Sequence, residues 1–258
     1  WPSVHANQKC APLWLLIFQR VASIKEYLRK NTKEELRPQF ILDFELPKSE
    51  ITNFEIIWSS TNLEIYELLR DLKPALLSFS PGTLNFFPIY YMQSHPDFVP
   101  KFRLEGKEPK DIDSPDCFGN GHFCFFIDAE TLNLGVYEGQ SVLEEDLRQI
   151  CIFKERQNPN ITEFIDYALE FHTTCLNITS PMFTSACAEQ SMKNIGYDAE
   201  KIKAINKCMS DSFVSPKRTD WWKSENEILR KERKFLRRMN VIINPSMIVN
   251  KKLIYVSH

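Results

Sequence analysis

Six of the seven cysteines fall between residues 117 and 208: Cys117, Cys124, Cys151, Cys175, Cys187 and Cys208, with Cys10 alone near the start. Three chemistries are open to thiols clustered in this way: exchange with another disulfide, zinc ligation, or covalent stapling. Exchange needs a thiolate of low pKa, usually at a helix N-terminus and paired as Cys-x-x-Cys, and the chain has no such pair. Zinc sites favour short knuckles. Here the closest pair is Cys117 and Cys124, and the other cysteines lie twelve or more residues apart. Disulfides are the reading that remains, with no metal and no cofactor, and they place the chain in an oxidising compartment. Two Asn-x-Thr glycan acceptors, at Asn160 and Asn177, point to the same compartment.

The histidines (His5, His95, His122, His172 and His258) are dispersed, and none stands at motif spacing from a carboxylate and a nucleophile. His122 lies inside the short Cys117–Cys124 loop, where it is either a proton-sensitive contact in the endosomal range or an ordinary solvent-facing side chain. Arg230, Lys231, Arg233, Lys234, Arg237 and Arg238 crowd one segment. They form either a docking patch for an acidic partner or nucleic acid, or a solvated face neutralised by Glu225, Glu227 and Glu232 at helical spacing. The second reading is favoured. A net charge of −2 over 258 residues gives no general attraction to nucleic acid. Trp221 and Trp222 read as packing anchors.

The elements that must position these residues follow from periodicity. Leu16, Val21, Ile24, Tyr27 and Leu28 mark a helix before Pro38, and residues 39–46 read as a strand. Residues 53–58 make a second strand, and Ser59 to Asn62 offer caps for a helix over 63–77 that Pro74 should kink or end. Residues 84–92 form a third strand, which Pro88 marks as an edge or irregular strand. Helices are expected over 141–153, 162–172, 184–195, 198–209 and 225–239, the last opened by a capping box of Ser224 and Glu227. Val241 to Val249 and Leu253 to Val256 then form a hairpin through residues 250–252. No run of about 20 apolar residues is present to span a membrane. The chain does not begin with Met, which predicts a piece of a longer precursor.

This order resembles an α/β (α+β) thioredoxin-like sheet with an inserted helical, disulfide-stapled subdomain. Pro245 after Asn244 sits where a thioredoxin keeps its cis-proline. More specific motifs resemble the central luminal region of vacuolar sorting receptors. They are Cys117-Phe-Gly-Asn-Gly-His-Phe-Cys124, then Gly135-Val-Tyr-Glu-Gly139 followed by Val142 to Cys151, then Phe171-His-Thr-Thr-Cys175, Cys187 to Gly196, Lys207-Cys208-Met209-Ser-Asp211, and Val241 to Asn250.

The resemblance implies a division into residues 1–38, similar to the C-terminal tail of a protease-associated domain, and 39–258, the thioredoxin-like domain, with its helical insertion at about 110–240. It also implies a non-catalytic luminal or extracellular binding module of a cargo-sorting receptor ectodomain. Its partners would be protein cargo or neighbouring subunits, and its membrane tether would lie in segments outside this chain. The alternative is a structural extracytoplasmic subunit or spacer of a larger membrane or surface assembly. The chain departs from the family at Thr61 to Glu67, where family members carry a Cys-x-x-x-Cys pattern and this sequence has no cysteine. Adjacency of helices along the chain predicts the pairs Cys117–Cys124, Cys151–Cys175 and Cys187–Cys208, one of many connectivities open to six cysteines. Cys10 is left free or paired outside the chain.

Overall fold

Alternating apolar residues in Thr52–Trp58 form strand β1, with Phe54, Ile56, Ile57 and Trp58 fully buried. The computed structural model describes residues 51–77, 79, 82–96, 113–126, 137–154, 161–176, 183–215, 223–241 and 244–255. The expected helix before Pro38, the strand over 39–46, Cys10, Trp221, Trp222 and both glycan acceptors lie outside the described residues.

Helix α1 (Leu63–Leu77) follows β1, and β2 (Leu84–Tyr90) then pairs with β1 in parallel. The chain returns to the sheet at β5 (Ser246–Val249), antiparallel to β1, and ends in β6 (Lys252–Tyr255), antiparallel to β5. The sheet order is β2-β1-β5-β6, a parallel βαβ half joined to an antiparallel hairpin. Asn250 and Lys251 turn that hairpin with φ of 47° and 71°, the two left-handed residues that match strand twist in a two-residue turn.

Among the described residues between β2 and β5 lie a two-stranded ribbon, β3 (Cys117–Phe118) with β4 (Phe123–Cys124), and five helices. These are α2 (Gly139–Lys154), α3 (Ile161–Cys175), α4 (Ser185–Asn194), α5 (Ala199–Asp211) and α6 (Glu227–Arg238). Gly196, with φ of 86° and Tyr197 N–H bonded to Met192 O, closes α4 in the left-handed cap that glycine adopts without strain. Gly139 is required for close approach: a Cβ there would lie 1.9 Å from Phe125 O.

Three expectations need correction. Of the two outcomes expected at Pro74, a kink or an end, the end does not occur, and α1 runs on to Leu77. The buried stripe Ile65, Leu69, Leu72 and Leu76 holds the helix together although the Pro74 nitrogen cannot donate. Helix α6 is capped by Asn226, whose side chain accepts from Leu229 N–H at 2.9 Å, not by Ser224. Asn226 is fixed there because its amide also donates to Ser212 Oγ at 2.7 Å. The last hairpin is shorter than its apolar run: β5 begins at Ser246, after a proline that offers no donor to the ladder.

Pro88 lies on an edge strand, and its orientation can be derived. Tyr91 N–H donates to Trp58 O and Thr83 O accepts from Thr52 N–H, so odd-numbered residues of β2 turn their polar groups toward β1. Even-numbered residues face outward, so the missing donor of Pro88 falls on the outer edge. The next outward donor, Tyr90 N–H, is bonded to Glu232 Oε2 of α6 at 3.4 Å.

The core is aromatic. Trp58 packs against Tyr66, Tyr90 and Phe164 at centroid distances of 5.2, 5.5 and 6.5 Å. Phe86 meets Phe54, Phe153 and Phe164 within 6.0 Å. The sheet and the helical insertion therefore share one apolar interior. No described helix is long and apolar enough to cross a membrane.

Candidate functional site

In a sheet of this topology, the chain leaving β1 for α1 is the corner where reactive groups would be presented. Ile57 pairs with Ser246, so Pro245, joined to Asn244 by a cis peptide bond, stands beside that exit. The residues at the exit are Ser59, Ser60, Thr61 and Asn62, and both serines are buried. Ser59 and Thr61 hydroxyls bond to each other at 2.7 Å, and Asn62 Oδ1 accepts from Ile65 N–H to cap α1. Ser60 is saturated. Its N–H donates to Asp146 Oδ1 at 2.9 Å, its hydroxyl to Val142 O, and its carbonyl accepts from Tyr66 Oη at 2.7 Å. The Ser60 hydroxyl is thus buried between the Val142 carbonyl and the Asp146 carboxyl, closed off from solvent.

Helix α2 closes the corner from behind. Val142, Leu143, Leu147, Ile150 and Cys151 recur at helical spacing as its apolar face, yet Glu145, Asp146, Arg148 and Gln149 are buried as well. Arg148 Nη1 donates to Glu145 Oε2 at 2.5 Å, while Gln149 and Tyr167 Oη each donate to Glu145 Oε1 at 2.9 Å. Tyr90 Oη donates to Gln149 Oε1 at 2.7 Å. Burial pushes the Asp146 carboxyl well above the usual carboxylate range, against two hydrogen bonds from Ser60 that pull it down. Its Oδ2 has no hydrogen-bond partner. Burial also raises Glu145, although Arg148 opposes it. Sequence reasoning missed this network, because consecutive polar residues on an amphipathic helix look like its wet face.

The disulfides are Cys117–Cys124, Cys151–Cys208 and Cys175–Cys187. The expected pairs Cys151–Cys175 and Cys187–Cys208 are thus exchanged. Helix α2 packs on α5 as well as on α3, while α3 and α4 form a helical hairpin. Cys151 therefore meets Cys208, and Cys175 meets the first turn of α4. Cys117–Cys124 joins the two strands of the ribbon, and the other two bonds staple helices, α2 to α5 and α3 to α4. In the first staple, His122 stacks on Phe123 with centroids 4.3 Å apart, and its Nδ1 lies 2.8 Å from Glu225 Oε1. His122 is tied to the approach to α6 rather than simply facing solvent.

A groove of about 670 Å³ opens between α1, α3 and the α4–α5 turn. Glu163, Asp166, Glu170 and Asp198 line it, with Arg70 and Lys201. Lys201 bonds Glu163 at 2.8 Å and lies over the Tyr197 ring. Glu170 accepts from Thr174 and Asn194. Among the described residues, no group of three His, Cys, Asp or Glu side chains is placed to hold a metal ion.

Residues 58–256 match the family model of the vacuolar sorting receptor thioredoxin-like domain. The chain belongs to this family. Its relatives include vacuolar-sorting receptor 1 of Pisum sativum, 27% identical over 76% of this chain and 30% of that protein. Vacuolar-sorting receptor 6 of Arabidopsis thaliana is 24% identical over 93% of this chain and 36% of its own length. The chain thus spans about a third of the length of the curated relatives it matches. Among solved structures, DsbA of Chlamydia trachomatis aligns over 86% of this chain and 89% of its own with a TM-score of 0.43 and 11% identity, a remote likeness. Family membership and the β2-β1-β5-β6 sheet make the fold thioredoxin-like α/β, with three disulfides in the segment between β2 and β5.

Proposed function

We propose that this chain is a non-catalytic protein-binding module in the ectodomain of a cargo-sorting receptor, working in the lumen of the secretory and endosomal pathway. The observation that carries this reading is the exit of β1. A member of a sorting-receptor family keeps the thioredoxin sheet there, but serines, threonine and asparagine stand where thiol exchange would need sulfur, with Ser59 and Ser60 sealed from solvent. The sheet then serves as a scaffold, and the groove beside α3 is the concave surface open to a protein ligand. In this reading residues 1–38 end a preceding protease-associated domain, residues 39–258 form the thioredoxin-like domain, and Asn160 and Asn177 carry glycans.

The purified, oxidised chain tests the enzyme class in an insulin-reduction assay: turnover at the buffer level is expected, and robust turnover overturns the reading. A vacuolar protein carrying its sorting peptide, compared by titration with the same protein lacking it, tests binding. Sorting-peptide-dependent binding that Arg70→Glu alters supports the module. Absence of binding by a folded chain returns the structural-spacer alternative. Glycosidase digestion of the chain secreted from eukaryotic cells should lower its mass by two glycans.

A further inference from the structure

The favoured sequence reading neutralises the basic helix α6 with its own acids, and the structure removes those acids. Glu225 is engaged with His122, and Glu232 is buried against Tyr90 N–H. Glu227 stays exposed on the helix, and Glu225, exposed just before it, is held by His122. Arg230, Lys231, Lys234, Arg237 and Arg238 are all exposed. Arg230, Lys234, Arg237 and Arg238, at spacings of three, four, seven and eight residues, share one stripe about 12 Å long at helical rise, with Lys231 on its flank. Among the described residues none of the five makes a close hydrogen bond or ion pair, although Arg238 attracts the Glu55 carboxyl at longer range. Arg238 lies over the Phe235 ring at 5.4 Å. Helices α3, α5 and the start of α2 handle their surface charges differently, pairing Asp166 with Lys73, Glu163 with Lys201, Asp211 with Lys207 and Glu144 with Arg148.

We infer that this face of α6 is a docking surface for an acidic polypeptide segment whose carboxylates are spaced to meet the stripe. Five like charges within two turns repel one another by a few tenths of a kcal/mol per neighbouring pair, a cost that a polyanionic partner reverses. Three of the five are arginines, whose planar forks grip carboxylates in bidentate fashion. A polypeptide is favoured over a lipid surface because the apolar residues of α6 turn to the core: Leu229 and Leu236 are buried, and Ile228 and Phe235 are partly buried against it. No fully exposed apolar side chain stands on the stripe, whereas helices that lie on membranes anchor through such residues. The inference is independent of the cargo-receptor reading, since it concerns a different face from the groove and its own probe.

The full chain is titrated, by fluorescence anisotropy, into a labelled oligoglutamate peptide about ten residues long at low ionic strength, where exposed charges act most strongly. Binding should weaken at least tenfold in the triple variant Arg230→Glu, Lys234→Glu, Arg237→Glu. It should stay within about twofold in Lys193→Glu, Lys203→Glu, Lys207→Glu, which changes net charge equally on α4 and α5. The neutral triple Arg230→Gln, Lys234→Gln, Arg237→Gln, which keeps good helix formers, should fall between the two and separates lost charge from lost folding. Equal loss in the two reversal variants overturns the inference, because net charge alone then governs binding. Flotation with anionic vesicles at concentrations where the peptide stays unbound overturns it too, in favour of a membrane surface.

Discussion

Replacing Glu232 with Gln should remove a pH-dependent weakness from the fold. The Glu232 carboxyl reaches behind Tyr90 on α6 and is 7% exposed. Burial raises its pKa from 4.5 to about 7, against the opposing pull of Lys154 and of the Tyr90 N–H. Lys154 is itself pushed down by burial more than Glu232 raises it, so desolvation outweighs mutual attraction at both ends of the pair. Between these pH values the folded protein keeps a proton that the unfolded chain has released, and stability therefore falls as pH rises. At about 1.4 kcal/mol per tenfold change in proton affinity, the full effect is about 3 kcal/mol, complete above pH 7. Most of it, about 2.5 kcal/mol, appears between about pH 5 and pH 8.

Gln keeps an acceptor for Tyr90 N–H but cannot ionise. Urea unfolding of wild type and Glu232→Gln, with disulfides intact, should show the variant gaining about 2.5 kcal/mol on the wild type across that range. Asp146 and Glu145, raised in the same direction, act in both proteins and largely cancel in the difference. A gap that stays constant from acid to alkaline pH would show that Glu232 binds its proton equally well in the folded and unfolded chains, and would refute the desolvation argument.

Unfolding of the paired Cys→Ala variants should rank the staples by the chain they close. The loss is about 4 kcal/mol for Cys151–Cys208 across 57 residues, about 3 for Cys175–Cys187 across 12, and about 2 for Cys117–Cys124 across 7; the reverse order in denaturant midpoints would contradict the loop-closure account. Gly139→Ala should cost about 3 kcal/mol or block folding, because its methyl meets the Phe125 carbonyl and the Asp116 backbone, neither of which is the free end of a side chain. Phe164→Ala should cost about 3–5 kcal/mol in chemical denaturation, since Phe164 fills the space between Trp58, Phe86 and Phe153. A loss under 1 kcal/mol would mean that the cluster collapses around the gap.

What the sequence made legible is local. The helices over 63–77, 141–153, 162–172, 184–195 and 198–209 each carry an apolar stripe at helical spacing, and the structure places helices there within a few residues. The closed corner was legible as an absence of sulfur. The features that escaped depend on partners far along the chain. Asp146 reaches Ser60 across 86 residues and Glu232 reaches Tyr90 across 142, and nothing in either stretch announces the other. The disulfide exchange has the same origin, because neighbours along the chain are a poor guide when α2 contacts both α3 and α5. The stranded cations of α6 became visible only when Glu225 and Glu232 proved to be spoken for.

The outer rim of β2 has a further consequence at high protein concentration. A strand from another molecule laid along that rim would look for regular amide donors, and from Pro88 to Tyr90 it finds one lacking and the next already taken by Glu232. Templated growth of fibres needs an uninterrupted row, so copies of this molecule held at high density in a narrow vesicle would resist zipping together along this side of the sheet.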